Sequence, residues 1–340
     1  MNEALVLNDR TRGTSGYRLR PHDLVTAVLA LLFALFSLAW PGTGTTNLFG
    51  AAFSRGFFMA AVYLVVALLS LSFPLIETAL TRRGKAFARI AGFVHTYYPE
   101  AFIALFFTDS ILLSAQVMGG YSHDPFFVAA DQAIFGCQPS RELAPALGSQ
   151  PWINELMFGS YFAYFAFMTS TLWIPYVKGE REEGERQMFV VAAVMALVST
   201  WYVFFRVQGP KYWLPDLRTA WYTAFEGGLF VRLFQNTLAA TTLSGAAFPS
   251  THVILTLTTL GLAQKNDKRL FALYLPVACL ILVSTVYIRA HYATDVLGGA
   301  LVAATLSPLC YSAYGRADRL AARLSFYVSA RARALAGSTG

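Results

Sequence analysis

Two histidines and an aspartate carry the first chemical signal in this chain. His291 and Asp295 stand four residues apart, so on a helix they share one face, about 5–6 Å apart at Cβ. A carboxylate bonded to one imidazole nitrogen fixes the tautomer and leaves the other nitrogen free to attack. His252 is the candidate second imidazole, a general acid that protonates a departing oxygen. Ser250 suits a helix N-cap, and the free N–H groups behind it form an anion site. Lys211, Arg218 and Arg289 add the positive charge that a phosphoryl group in transfer requires. Together these residues describe in-line transfer from a phosphate ester through a phosphohistidine. Each part alone also fits a structural role: a histidine at a helix end, a Pro-Ser cap, a local His-Asp pair. The combination points to catalysis.

The elements that must position them are membrane helices. The 340 residues are 56% hydrophobic and only 13% charged, with a mean hydropathy of +0.49. A soluble domain carries about 25% charged residues, so this chain has too few charges to coat a soluble surface. Cys137, Cys279 and Cys310 form an odd set that says nothing about redox compartment. A crossing needs about 20 apolar residues, and about eight candidates meet that rule: Leu24–Trp40, Phe57–Leu80, Tyr97–Met118, Ile153–Val177, Met188–Phe205, Pro249–Ala263, Leu270–Ile288 and Tyr292–Tyr311. The expected fold class is all-α, a polytopic membrane helix bundle. The first run is longer than a signal-peptide core and reads as a retained helix.

Lys and Arg concentrate on alternate connections, which places both termini in the cytoplasm. Arg10, Arg12, Arg18 and Arg20 precede the first span, and Arg316, Arg319, Arg323, Arg331 and Arg333 follow the last. The net charge of +7 therefore reads as topology, and no nucleic acid is expected as a partner. Residues 1–150 form N-terminal helices and an outer loop, 151–312 the catalytic core, and 313–340 a basic cytoplasmic tail, all as one integrated domain. The outer face retains Arg206, Lys211, Arg218, Arg232 and Arg289 around the last four spans. With this topology the segments bearing Lys211, His252 and His291 meet at one extracytoplasmic face of a cell membrane.

Lys211-x6-Arg218, Pro249-Ser250-x-His252 and His291-x3-Asp295 resemble the three motifs of the type 2 phosphatidic acid phosphatase superfamily. The resemblance implies a metal-independent enzyme with His291 as nucleophile, Asp295 orienting it and His252 as acid. Lys211, Arg218 and Ser250 would hold the phosphate, helped by the backbone N–H of Thr251, which stands where the family has Gly. Thr219 replaces a family Pro, and Thr285 occupies the position of a family Arg. If the seventh span stays helical, Arg289 lies one turn beyond Thr285 on the same face and supplies the missing guanidinium. Gln208-Gly209-Pro210-Lys211, Arg289-x-His291-Tyr292 and Asp131-Gln132-Ala133-Ile134-Phe135-Gly136 look more like the branch related to inositol phosphorylceramide synthases, which move a phospho-headgroup between lipids.

The expected partners are a phosphorylated lipid, surrounding membrane lipids, and water or an alcohol such as a polyol as acceptor. A lipid transporter whose basic cavity only binds headgroups is the rival from another class. Tyr212, Trp213 and Tyr292 read as an interfacial belt. The 119–150 loop, with Asp124, Asp131, Arg141 and Glu142, is either solvated or polar enough to hold a polyol. Asp109 inside the third span needs a partner or a wet cavity: it pairs with Arg206 or His95, or it contacts the substrate. His22, His95 and His123 have no partner at metal-ligand spacing, so neither a metal nor a cofactor is expected.

Overall fold

The computed structural model describes residues 17–42, 45–48, 51–220, 224–238 and 244–337. Arg10 and Arg12 lie outside the described residues, as do the side chains of Thr219 and Arg333. The chain is helical nearly throughout: α1 (Pro21–Ala39), α2 (Arg55–Thr81), α3 (Lys85–Val117), α4 (Asp124–Phe135), α5 (Pro139–Ala146), α6 (Pro151–Val177), α7 (Arg181–Phe204), α8 (Pro210–Trp213), α9 (Pro215–Ala220), α10 (Leu229–Leu238), α11 (Thr251–Asn266), α12 (Lys268–Tyr287) and α13 (Ala293–Gly337). A short antiparallel hairpin, β1 (Thr45–Leu48) and β2 (Ala51–Ser54), joins α1 to α2.

A helix forms at each of the eight expected spans. Six of them, α1, α2, α3, α7, α12 and α13, are long and apolar enough to cross a membrane. The other two are built differently. α11 has 16 residues, most of them buried and many of them threonine, so it needs little contact with lipid. α6 runs for 27 residues but interleaves Asn154, Glu155, Ser160 and Thr171 with its apolar positions. Beyond residue 312 the chain continues the last helix to Gly337. The region 119–150 is largely α4 and α5, where a solvated loop had been one expectation.

The chain forms two compact units, residues 1–104, 181–196 and 309–340 in the first and 105–180 and 197–308 in the second. In the first unit α1 and α2 lie against each other. Phe33 meets Tyr63 edge to face at 5.5 Å, and Gly56 packs so tightly that a Cβ there would stand 2.3 Å from the Ser37 carbonyl. The second unit is organised on α6, α11 and α12. Met157, Phe158, Val231, Phe234 and Tyr287 fill its main apolar core, while Phe127, Val207, Ala247 and Tyr292 make a smaller one beside it.

Local chemistry sets the ends of these helices. Ser250 caps α11 by accepting from the Val253 N–H. Asp267 ends α11 and caps α12, accepting from the Arg269 and Leu270 N–H groups. Its carboxylate also pairs with Lys178 at 2.9 Å. Gly299 lets α13 approach the start of α11, since a Cβ there would sit 2.9 Å from the Ser250 carbonyl and from Val253. Gly299→Leu is therefore expected to lower stability by about 1–3 kcal/mol through overpacking. The thermal midpoint of the detergent-solubilised protein measures it, and an unchanged midpoint would contradict the close approach.

Candidate active site

Backbone hydrogen bonds lace the three motif-bearing segments together in the second unit. Ala247 donates to the Val207 carbonyl at 2.9 Å, Lys211 to the Arg289 carbonyl at 3.2 Å, and Ser250 to the Asp295 carbonyl at 3.2 Å. Gly209 makes the crossing possible. Its φ of +94° is a conformation L side chains avoid, and a Cβ there would sit 2.7 Å from the Ala290 carbonyl.

The two imidazoles come together, with ring centroids 6.0 Å apart. His291 is buried and donates Nδ1–H to the Ala247 carbonyl at 2.9 Å, which leaves Nε2 as the nitrogen with a free lone pair. Burial pushes the His291 ring down to about 4, against the pull of the Ala247 bond, so it is neutral at physiological pH. The expected direct bond from Asp295 is longer than a hydrogen bond. Its Oδ2 stands 3.5 Å from His291 Nδ1 and instead accepts from the Tyr292 N–H at 2.8 Å. A carbonyl has thus taken the orienting position, and the aspartate backs the turn that carries the ring.

His252 lies between two tyrosine rings, stacked on Tyr161 at 4.3 Å and tilted against Tyr164 at 4.4 Å. Neither ring nitrogen has a hydrogen-bond partner among the described residues. Lys211 projects its ammonium over Tyr212 at 4.9 Å and Phe234 at 5.7 Å. This enclosure pushes the ammonium down to about 8. Arg289 lies over Phe225 at 5.0 Å in the left-handed region, φ 65°.

That conformation corrects the expected route for Arg289. α12 ends at Tyr287, so Arg289 does not continue the face of Thr285. The buried Thr285 instead uses its carbonyl to accept the N–H groups of Ala290 and His291, each at 3.1 Å, which sets the turn that presents the His291 ring. Arg218 is exposed on α9; its backbone N–H donates to the Leu214 carbonyl at 2.9 Å, and its guanidinium has no ion pair among the described residues. Among the positively charged candidates, Lys211 and Arg289 are joined directly through the backbone, and Arg218 is not.

Two carboxylates that the sequence left as loop polarity turn out to be buried struts. Asp124 accepts from the Gln208 N–H at 2.7 Å, the Gly209 N–H at 2.9 Å, the Tyr292 hydroxyl at 2.8 Å and the Ser122 hydroxyl. Asp131 accepts from the Ala293 and Thr294 N–H groups at 3.0 and 2.9 Å, capping α13 from a different helix. Neither remains free to bind a polyol. Tyr292 is fully buried by this arrangement and is no interfacial belt residue, whereas Trp213 keeps about a third of its surface. Arg141 is spent on a bidentate pair with Asp216 at 2.7 and 2.8 Å. Arg206 donates to Ser114 and Ser244. The spacing of Asp124 from Asp131 on one helix, seven residues, was the available signal, and it carried no hint of which N–H groups they would meet.

α10 closes one side of this region. Glu155 accepts from the Phe230 and Val231 N–H groups at its first turn. Val231 and Phe234 are buried, while Leu229, Phe230 and Leu233 are exposed.

Asp124→Ala would strand three or more donors and is expected to cost about 3 kcal/mol or more. Asp131→Ala, the loss of a cap, is expected to cost about 1–2 kcal/mol. Denaturant unfolding in micelles ranks them, and negligible loss at Asp124 would remove it from this role. Above pH about 8 the Lys211 ammonium loses its proton, so affinity for a phosphate anion is expected to fall, by up to about tenfold per further pH unit. Competitive inhibition by inorganic phosphate across pH reads this, and Lys211→Arg is expected to flatten the profile.

The PAP2 superfamily model matches residues 127–309, more than half of the chain, and the match includes Lys211, His252, His291 and Asp295. Neither a curated protein nor a solved structure matches. With its helical architecture and its paired imidazoles beside Lys211 and Arg289, the chain belongs to the PAP2 superfamily.

Proposed function

We propose that this protein is a membrane-embedded lipid-phosphate phosphatase or phosphotransferase that works through a phosphohistidine on His291. The observation that carries the reading is the buried imidazole pair 6.0 Å apart, with His291 Nε2 freed by the Nδ1–H bond to Ala247. In the first half-reaction Nε2 attacks phosphorus as the ester P–O bond breaks, and His252 gives a proton to the departing oxygen. In the second, water or an alcohol attacks the phosphohistidine, His252 takes up the acceptor's proton, and the P–N bond breaks. Lys211, Arg289 and the N–H groups behind Ser250, that of Thr251 included, face the charge that builds on the phosphoryl oxygens. Exposed Arg218 is the residue of the set that would have to reach in when substrate arrives.

The basic residues flanking the last four spans support an extracytoplasmic site in a cell membrane, where a lipid's phosphate reaches the pocket while its tails stay in the bilayer. Water and an alcohol remain distinct acceptors. With Asp124 and Asp131 committed to the scaffold, selection between them falls to the aromatic walls of the pocket. An inositol-phosphate headgroup transfer between lipids would be the synthase form of the same chemistry.

Quenching the protein in alkaline detergent after reaction with phosphatidic acid radiolabelled in its phosphate is expected to trap an acid-labile, alkali-stable phosphoryl group. His291→Ala should abolish it and reduce turnover by roughly a thousandfold or more. Vanadate should inhibit by occupying the same nitrogen. Release of inorganic phosphate marks a phosphatase, whereas inositol phosphate formed only with inositol, or a new phosphoinositide formed only with an inositol lipid, marks a transferase. Lipid movement across vesicles that is normal in His291→Ala, with no trapped phosphoryl group in wild type, would instead mark a transporter.

A further inference from the structure

The first unit holds a second buried constellation, outside the family match and unused by the phosphoryl chemistry. His95 on α3 stands between two carboxylates, with Nδ1 2.6 Å from Glu77 Oε2 and Nε2 3.0 Å from Asp23 Oδ2. A neutral imidazole has one N–H. If that N–H goes to Glu77, a bare lone pair faces the Asp23 carboxylate, and the opposite tautomer moves the same conflict to Glu77. A cation between ring and carboxylate resolves it.

The surrounding charges leave room for one. Arg20 pairs with Glu77 at 2.7 Å and Glu185 at 3.3 Å, and Arg181 pairs with both as well. Two guanidinium groups thus answer those two carboxylates, and among the described residues Asp23 has only the imidazoles of His95 and His22 as ion-pair neighbours. Asp23 is fully buried and otherwise accepts from the Arg20 N–H and the Tyr98 hydroxyl. His22 stands beside it: its Nε2, 3.7 Å from Asp23 Oδ1, donates to the His95 carbonyl at 3.0 Å, so the lone pair available to a metal is on Nδ1. That nitrogen is buried and has no partner among the described residues.

The donor atoms of His22, Asp23 and His95 lie within 4.8 Å of one another. Ligands about 2.0–2.2 Å from one metal ion stand roughly 3.3–3.6 Å apart in a tetrahedron, so small side-chain shifts close the set. Glu77 on the far nitrogen of His95 is the outer carboxylate that orients a metal-bound imidazole. Phe73 stacks on His95 at 5.6 Å and screens that side. A cavity of about 630 Å3 is lined by Arg20 and Glu77 and not by His22, Asp23 or His95, so it reaches the outer carboxylate only. We propose that His22, Asp23 and His95 bind one divalent first-row transition ion, zinc foremost, that ties α1 to α3. Its role is structural, and the expectation that these histidines lack metal partners came from their distance in sequence.

Full-length protein purified in detergent without chelator, from zinc-supplemented cells, tests this by elemental analysis. About one zinc per chain is expected, retained in His291→Ala and lost in His95→Ala and His22→Ala. Should those variants fail to fold, chelator-stripped wild type is titrated with Co2+, which should bind saturably with visible d–d absorption and raise the thermal midpoint. Wild type that carries no metal and takes up neither Zn2+ nor Co2+ overturns the proposal and leaves a proton as the bridging cation. Metal lost in His291→Ala but kept in His95→Ala overturns it too, by moving the ion to the imidazole pair of the other unit.

Discussion

The carboxylate of Asp124 is the constraint on which the candidate site depends. It is fully buried, and an isolated buried charge is costly. It is stable there because backbone N–H groups from the Lys211 loop and a hydroxyl from the His291 segment converge on it. The desolvation that makes Asp124 expensive also makes its donors hard to withdraw, so the two segments are held in register. Asp131, two turns further along the same helix, does the same for the start of α13. One helix outside the three motifs therefore ties the Lys211 loop to the segment that carries His291.

The architecture was readable because its signals are local and additive. Apolar runs long enough to cross hydrocarbon announce themselves by length, and the eight segments marked in that way all became helices. Ser250 as an N-cap was equally legible, because a cap depends on a few neighbouring residues. The pairing of His252 with His291 was inferable from topology, since both fall at the same end of adjacent spans.

Legibility failed where one group had to choose among distant partners. Asp295 was assigned the imidazole by its four-residue spacing, yet the Ala247 carbonyl is nearer, and no side-chain pattern encodes a carbonyl. Arg289 was placed by extending α12, but that helix stops at Tyr287 and the next turn passes through a left-handed residue. Polar residues in the 119–150 region resembled a solvated loop because composition does not distinguish a carboxylate facing water from one facing backbone N–H groups. The cluster around His95 was hidden for the same reason, its members being drawn from α1, α2 and α3.

The ten residues of α10 have two neighbours to satisfy. Their inner side, through Phe234, touches the Lys211 ammonium, and their outer side offers Leu229, Phe230 and Leu233. Whatever covers those three exposed side chains borders the helix that forms one wall around the Lys211 ammonium. The surrounding medium is thus one layer of side chain away from the Lys211 ammonium, and a change of amphiphile is a change in what bounds that side of the pocket.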